Sequence, residues 1–166
     1  MIWKTILASL VLVGCARNPQ LKPTIPEYIE GGFCPYEDKT IVVVLDHGVG
    51  NYLACQNFKI QKTGKVSGGK PNGFDTAEGN FKVLRRYKKY NSKKYPQENG
   101  YNMRYAQFFN GGFAIHQGNV NAYSHGCVHC KSSDAVWLWG WARIGTSVKV
   151  MNKIKYQEKL NESLSI

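Results

Sequence analysis

Acidic side chains are scarce in this sequence. Across 166 residues, 11 Asp and Glu face 22 Lys and Arg, a formal charge of +11. That imbalance favours anionic partners such as nucleic acid, an anionic membrane or an anionic cell-wall polymer, and charge alone does not choose among them. Long apolar runs are missing at the N-terminus too: the stretch from Ile6 to Val13 is too short to span a bilayer. There is no internal repeat and no glycine-rich phosphate loop, so nothing points to a solenoid or a nucleotide cradle. Proline ends at Pro96, and only one persuasive helix can be read. With 43% hydrophobic residues and 13% aromatics the chain is globular and not disordered. Its length suits one modest domain able to bury a core without metals or disulfides.

The first residues, MIWKTILASLVLVGC, carry one early cation at Lys4 and end in Leu12-Val13-Gly14-Cys15. This resembles the bacterial lipoprotein signal, a small-residue cleavage site directly before a cysteine. The resemblance implies a signal peptide at 1–14 and a lipidated Cys15 that anchors an exported domain to a membrane. An ordinary secretory signal with a chance cysteine is the alternative, and it exports the domain as well. Ala16, where Asp would be the inner-membrane retention cue, implies the periplasmic face of the outer membrane over the inner in a Gram-negative host. Export argues against nucleic acid as partner. It also puts Cys34, Cys55, Cys127 and Cys130 where disulfides persist. A Cys34–Cys55 bridge is open, since both flank one strand region.

Residues 15–35 are proline-spaced and read as a tether, 36–152 as the folded domain, and 153–166 as a C-terminal tail. Thr40 to Asp46 (TIVVVLD) is β-branched and apolar, a buried strand. LACQNFKIQKTG reads as further strand with a turn at Thr63-Gly64, and GNFKVLRRY as a resumed strand. Arg85 to Gly100 interleaves cations with tyrosines and reads as a solvated basic loop. The competing view makes it a rim that holds an anionic substrate. YAQFFNGGFAIH is a strand pair bent at Gly111-Gly112. SSDAVWLWGWARIG is the helix, with Ser132 or Ser133 as N-cap, Asp134 in the first turn and Gly145 at its end. TSVKVM closes the domain as a strand. Several short strands with little helix make the fold mainly β.

Ile115 to Cys130 (IHQGNVNAYSHGCVHC) concentrates the chemistry. A cysteine nucleophile works as its thiolate, so Cys127 needs a neighbouring base or a positive field. His116, at the end of a glycine-kinked strand, is the candidate base. Gly126 lets a carbonyl approach the backbone, where N–H donors stabilise an oxyanion by roughly 3–4 kcal/mol each.

These residues resemble the L,D-transpeptidase catalytic domain family of the YkuD type: His116, a gap, then Ser124-His125-Gly126-Cys127-Val128. VSGG at 66–69, TAEGNFKV at 76–83, MRYAQFFNGGFAIH at 103–116 and GTSVKV at 145–150 extend the likeness. Ala77 and Arg104 stand where the family has proline. The resemblance implies a β-sandwich or barrel-like mixed sheet with one or two short helices. It makes Cys127 the nucleophile, His116 its base, and the Gln117 carbonyl the group that orients the imidazole. His125 lines the site, and Gly126 with Cys127 forms the oxyanion hole. Ser124, Gln117, His129 and Tyr105 fall along the substrate. His129 replaces the usual Arg or Asn, and Cys130 an expected apolar residue.

The implied reaction is acyl transfer on peptidoglycan stem peptides. Cys127 attacks the L-centre carbonyl of the third residue and releases terminal D-alanine, and an amine acceptor resolves the thioester. Water as acceptor gives an L,D-carboxypeptidase instead. No cofactor and no metal are implied, and oligomeric state is not readable. Three rivals use the same segment: a Cys-x-x-Cys thiol oxidant, a zinc site drawn from His116, His125, Cys127, His129 and Cys130, and a non-catalytic wall-binding lipoprotein. A reversible Cys127–Cys130 disulfide would act as a switch on the transpeptidase.

Overall fold

The computed structural model describes residues 34–165. The expected signal peptide at 1–14, the lipidation site Cys15 and the tether up to residue 33 lie outside the described residues. Nine strands form one mixed sheet: β1 (Thr40–Asp46), β2 (Val49–Gln56), β3 (Lys59–Ser67), β4 (Gly79–Lys82), β5 (Arg85–Tyr90), β6 (Met103–Asn110), β7 (Phe113–Gln117), β8 (Val128–Cys130) and β9 (Ser147–Asn152). Helix α1 (Ser132–Trp141) precedes β9, and helix α2 (Lys153–Leu164) follows it. The strand order is β4-β9-β1-β2-β3-β8-β7-β6-β5. The pairs β1/β9 and β7/β8 are parallel and all others antiparallel.

The outermost strands, β4 and β5, are consecutive in sequence and joined only by Val83 and Leu84. A two-residue link reaches roughly 10 Å, so the sheet has to curl until its edges approach. Phe81 on one edge packs against Phe109 near the other, ring centroids 5.4 Å apart. The result is a mainly β half-barrel with two short helices, in agreement with the fold read from sequence.

β1 is buried on both faces, which is why it reads as a continuous apolar run. Ile41 and Val43 enter the larger core with Tyr52, Val66, Ile115 and Val128, and α1 covers it with Ala135 and Leu138. Val42 and Val44 enter a second core with Leu53, covered by Tyr156 and Leu160 of α2. The expected tail at 153–166 is therefore largely this helix. Cys34 and Cys55 are disulfide-bonded in the second core, so the last part of the expected tether is fixed inside the fold.

Several local expectations are corrected. The hairpin between β2 and β3 turns at Asn57-Phe58, both with positive φ (53° and 57°), and β3 runs straight through Thr63-Gly64. Gly64 is there because a Cβ would stand 2.5 Å from the Asp134 carboxylate and 2.7 Å from the Tyr52 ring. GNFKVLRRY is two strands on opposite edges of the sheet. The basic segment begins as edge strand β5, where lysines and arginines discourage pairing with another chain. The N-cap of α1 is Lys131, without a side-chain cap bond, while Asp134 is buried and pairs with Lys62 at 3.3 Å. The helix ends at Trp141, and Gly145 sits in the turn beyond it.

Candidate active site

The parallel pair β7/β8 builds the site. Their register sets Ile115 against Val128, His116 against His129 and Gln117 against Cys130. Side chains alternate along each strand, so His116 and His129 share one face with Cys127, two residues before His129. That face opens into a cavity of about 590 Å³ lined by Cys127, His116, His129, His125 and Ser124. On the opposite face Val128 and Cys130 are fully buried in the larger core. Cys130 Sγ faces the His116 carbonyl at 3.4 Å, and burial together with Asp134 pushes its thiol up to about 12. Cys127 and Cys130 thus lie on opposite sides of one strand, which removes the geometry for a Cys-x-x-Cys couple or a Cys127–Cys130 switch.

The loop before Cys127 is held by Ser124. Its hydroxyl donates to the Cys127 carbonyl at 2.5 Å and accepts from the Gly126 N–H at 3.0 Å. The Ser124 backbone N–H donates to the Gly68 carbonyl at 2.9 Å, and Ser124 pairs with Gly69 in a parallel bridge. Gly126 has φ +107°, and a Cβ there would stand 2.4 Å from the Phe113 ring. Only glycine fits. Its N–H, expected at the oxyanion hole, is engaged by Ser124.

His116 is 4% exposed, and its Nδ1–H donates to the Gln117 carbonyl at 2.8 Å. That bond leaves Nε2 as the basic nitrogen. Burial, then the neighbouring His129, lower its pKa to about 4 against the weaker pull of the Gln117 bond. The His129 ring lies edge-on to His116 at 4.9 Å, with Nδ1 3.3 Å from the Asn119 carbonyl. Gly118 makes room for it, since a Cβ there would stand 2.5 Å from the His129 ring. Burial also lowers the His129 pKa, opposed by backbone bonds at Asn119 and Ala122. Burial raises the Cys127 thiol, opposed by a backbone bond from Ala114. The thiol and the imidazole therefore rest as a neutral pair.

His125 lines the cavity as expected, whereas the Gln117 side chain and Tyr105 are placed differently. His125 lies at the rim, stacked on Tyr95 at 4.0 Å with Phe74 edge-on at 4.8 Å. Gln117 contributes its carbonyl to the site, while its side chain meets Ser132 at 3.4 Å. Tyr105 does not line the cavity. It sits in a β-bulge with φ 55° and packs towards Trp139, ring centroids 6.1 Å apart. Arg85, Lys93, Lys94 and Tyr95 of the basic segment line it, as in the rim alternative rather than the preferred solvated loop, and Asn119 and Tyr123, which the sequence reading left out, join them. The alternation of cations and tyrosines in 85–100 was the available signal. Among the described residues no three His, Cys, Asp or Glu side chains converge to hold a metal ion.

A mixed half-barrel thus carries a cysteine and a carbonyl-oriented histidine in one cavity. Residues 38–150 match the L,D-transpeptidase catalytic domain model. The chain belongs to that family. Its fold is similar to the L,D-transpeptidase of Xylanimonas cellulosilytica, with 28% identity and a TM-score of 0.57 over 69% of this chain and 60% of that one. It is equally similar to the L,D-transpeptidase of Stackebrandtia nassauensis, with 28% identity and a TM-score of 0.57 over 69% of this chain and 55% of that one. The catalytic domain from E. faecium L,D-transpeptidase shares the fold at 22% identity and a TM-score of 0.55, matching 69% of this chain and 98% of that domain. The chain thus spans little more than half of the first two proteins. No curated protein matches the chain significantly.

Proposed function

We propose that the protein is a peptidoglycan L,D-transpeptidase with Cys127 as nucleophile and His116 as base. The observation that carries this reading is the shared face of Cys127 and His116 on adjoining parallel strands, within a chain of this family. The Cys127 thiol passes its proton to His116 Nε2 as Sγ attacks the L-centre carbonyl of the third stem residue. The Cys127 N–H is the donor assigned to the oxyanion, because the Gly126 N–H is engaged by Ser124. As the C–N bond breaks, the imidazolium returns the proton to the amine of the departing D-alanine, leaving a thioester. An amine acceptor then attacks, loses its proton to His116, and restores the thiol. No cofactor enters these steps.

Water as acceptor would make the enzyme an L,D-carboxypeptidase, and one observation favours that reading: among the described residues no Asp or Glu lines the cavity to hold an ammonium acceptor. Purified protein with disaccharide-tetrapeptide, read by mass spectrometry beside Cys127→Ala, decides between them. Cross-linked dimer that vanishes with the variant is the expected result. Tripeptide alone would assign the carboxypeptidase, and an unchanged substrate would overturn both. The proposed location is the periplasmic face of a membrane, the outer over the inner, through a lipid on Cys15. The Cys34–Cys55 disulfide supports export to an oxidising compartment.

A further inference from the structure

The cavity that holds Cys127 carries an uncompensated positive rim. Arg85, Lys93 and Lys94 line it together with three histidines, and no Asp or Glu among the described residues does. Elsewhere several lysines have acidic partners: Lys62 with Asp134, Lys155 with Glu78 and Lys159 with Glu162. None of the three rim cations has one among the described residues. Glu98 lies in the same loop and does not line the cavity.

The rim is also built rather than frayed. The Arg85 guanidinium donates to the Gly111 carbonyl at 2.8 Å and lies 4.3 Å over the Phe108 ring, which fixes its charge at the wall. Lys94 stands 5.4 Å over Tyr95, and Tyr95 stacks on His125 beside Cys127. Within the loop, Asn91 and Asn102 tie the backbone at Gln97, Ser92 and Tyr95. Three cations facing a shared space, two of them held and Lys93 on the same loop, with no acid among the described residues to neutralise them, attract anions and repel cations.

Resting on the transpeptidase reading, we infer that this rim selects the donor stem by charge: it takes stem peptides whose carboxylates are free over the same peptides with those carboxylates amidated. A free carboxylate accepts charge-assisted bonds from Lys93 or Lys94, whereas a neutral amide offers only a weaker carbonyl acceptor. The lysines are exposed, so each contact contributes modestly and is screened by salt.

The test measures two things with full-length protein. Dissociation constants are determined by calorimetry with Cys127→Ala, using disaccharide-tetrapeptides that are fully free or amidated at one carboxylate at a time. Turnover of the same donors is measured with wild type. Both are repeated in Lys93→Gln/Lys94→Gln and Lys93→Glu/Lys94→Glu backgrounds at low and high salt. The expected result is a preference of about tenfold for the free stem at low salt, from two or three exposed pairs acting together. It shrinks in salt, falls to about twofold with the glutamines and turns towards the amidated stem with the glutamates. The single-amide arms identify which carboxylate is read. Equal affinities for free and amidated stems, or a preference indifferent to both double variants, overturn the rim. Turnover without preference overturns the rim and leaves the transpeptidase, whereas preference without turnover supports the rim and overturns the transpeptidase.

Discussion

His116 is enclosed so completely that protonating it is unfavourable, and its pKa falls from the ordinary 6.5 to about 4. A base that must be neutral to accept the Cys127 proton is then competent far into acid. The acid limb of kcat/KM is expected near pH 4 instead of near 6.5, and a pH–rate profile measures it. His129 contributes to the depression by charge repulsion. Replacing it in His129→Asn removes that repulsion and is expected to raise the acid limb by up to about one unit; an unmoved limb would remove His129 from the account. At this scale the site was largely legible, because Ser-His-Gly-Cys with an upstream histidine specifies chemistry in few residues. Which group the Gly126 N–H bonds, and which way Tyr105 turns, depend on a two-residue hydroxyl contact and a β-bulge. Neither leaves a mark in residue type.

Elements were legible where burial enforced a pattern and illegible where one glycine answered to a distant neighbour. The continuous apolar run of β1 follows from burial on both faces, and α1 was read from its end signals, of which Asp134 does stand in the first turn. Thr63-Gly64 has the composition of a turn, yet Gly64 lies inside β3 to admit Asp134 and Tyr52. Phe58 has no turn character, but it takes the positive φ at the real hairpin. Two glycines in contact with α1 should consequently respond with opposite signs. Gly64→Ala drives a methyl against the Asp134 carboxylate, disturbs the Lys62 pair and is expected to destabilise by about 2 kcal/mol. Gly140→Ala meets nothing within 4 Å inside the helix and is expected to stabilise by about 0.5–1 kcal/mol. Thermal unfolding of the two variants measures both, and equal shifts would show that Gly64 has no packing role.

At the scale of the whole molecule, the strand order was out of reach of the sequence, since β4 and β5 adjoin in the chain yet end on opposite edges. Closure of the sheet depends on contacts far apart in sequence, and so does the conversion of residues 153–166 into a helix over the second core. The Cys34–Cys55 bridge spans 21 residues within that core, and a loop of this size is associated with about 3 kcal/mol. The double change Cys34→Ser/Cys55→Ser is expected to lower Tm by roughly 5–10 °C in calorimetry, with turnover per folded molecule unaltered because the bridge lies away from the cavity. A loss of turnover at low temperature would tie the bridge to the site. The sheet's joints, finally, are unequal: β1 and β2 meet over seven residue pairs, whereas β8 meets β3 over two. As a mechanical object the molecule is two plates hinged on the strand that follows the thiol, with Ser67 and Ser124 as rivets across the seam. Every residue that lines the cavity, from Arg85 to His129, belongs to one plate, so the seam can flex while the walls around the thiol keep their mutual positions.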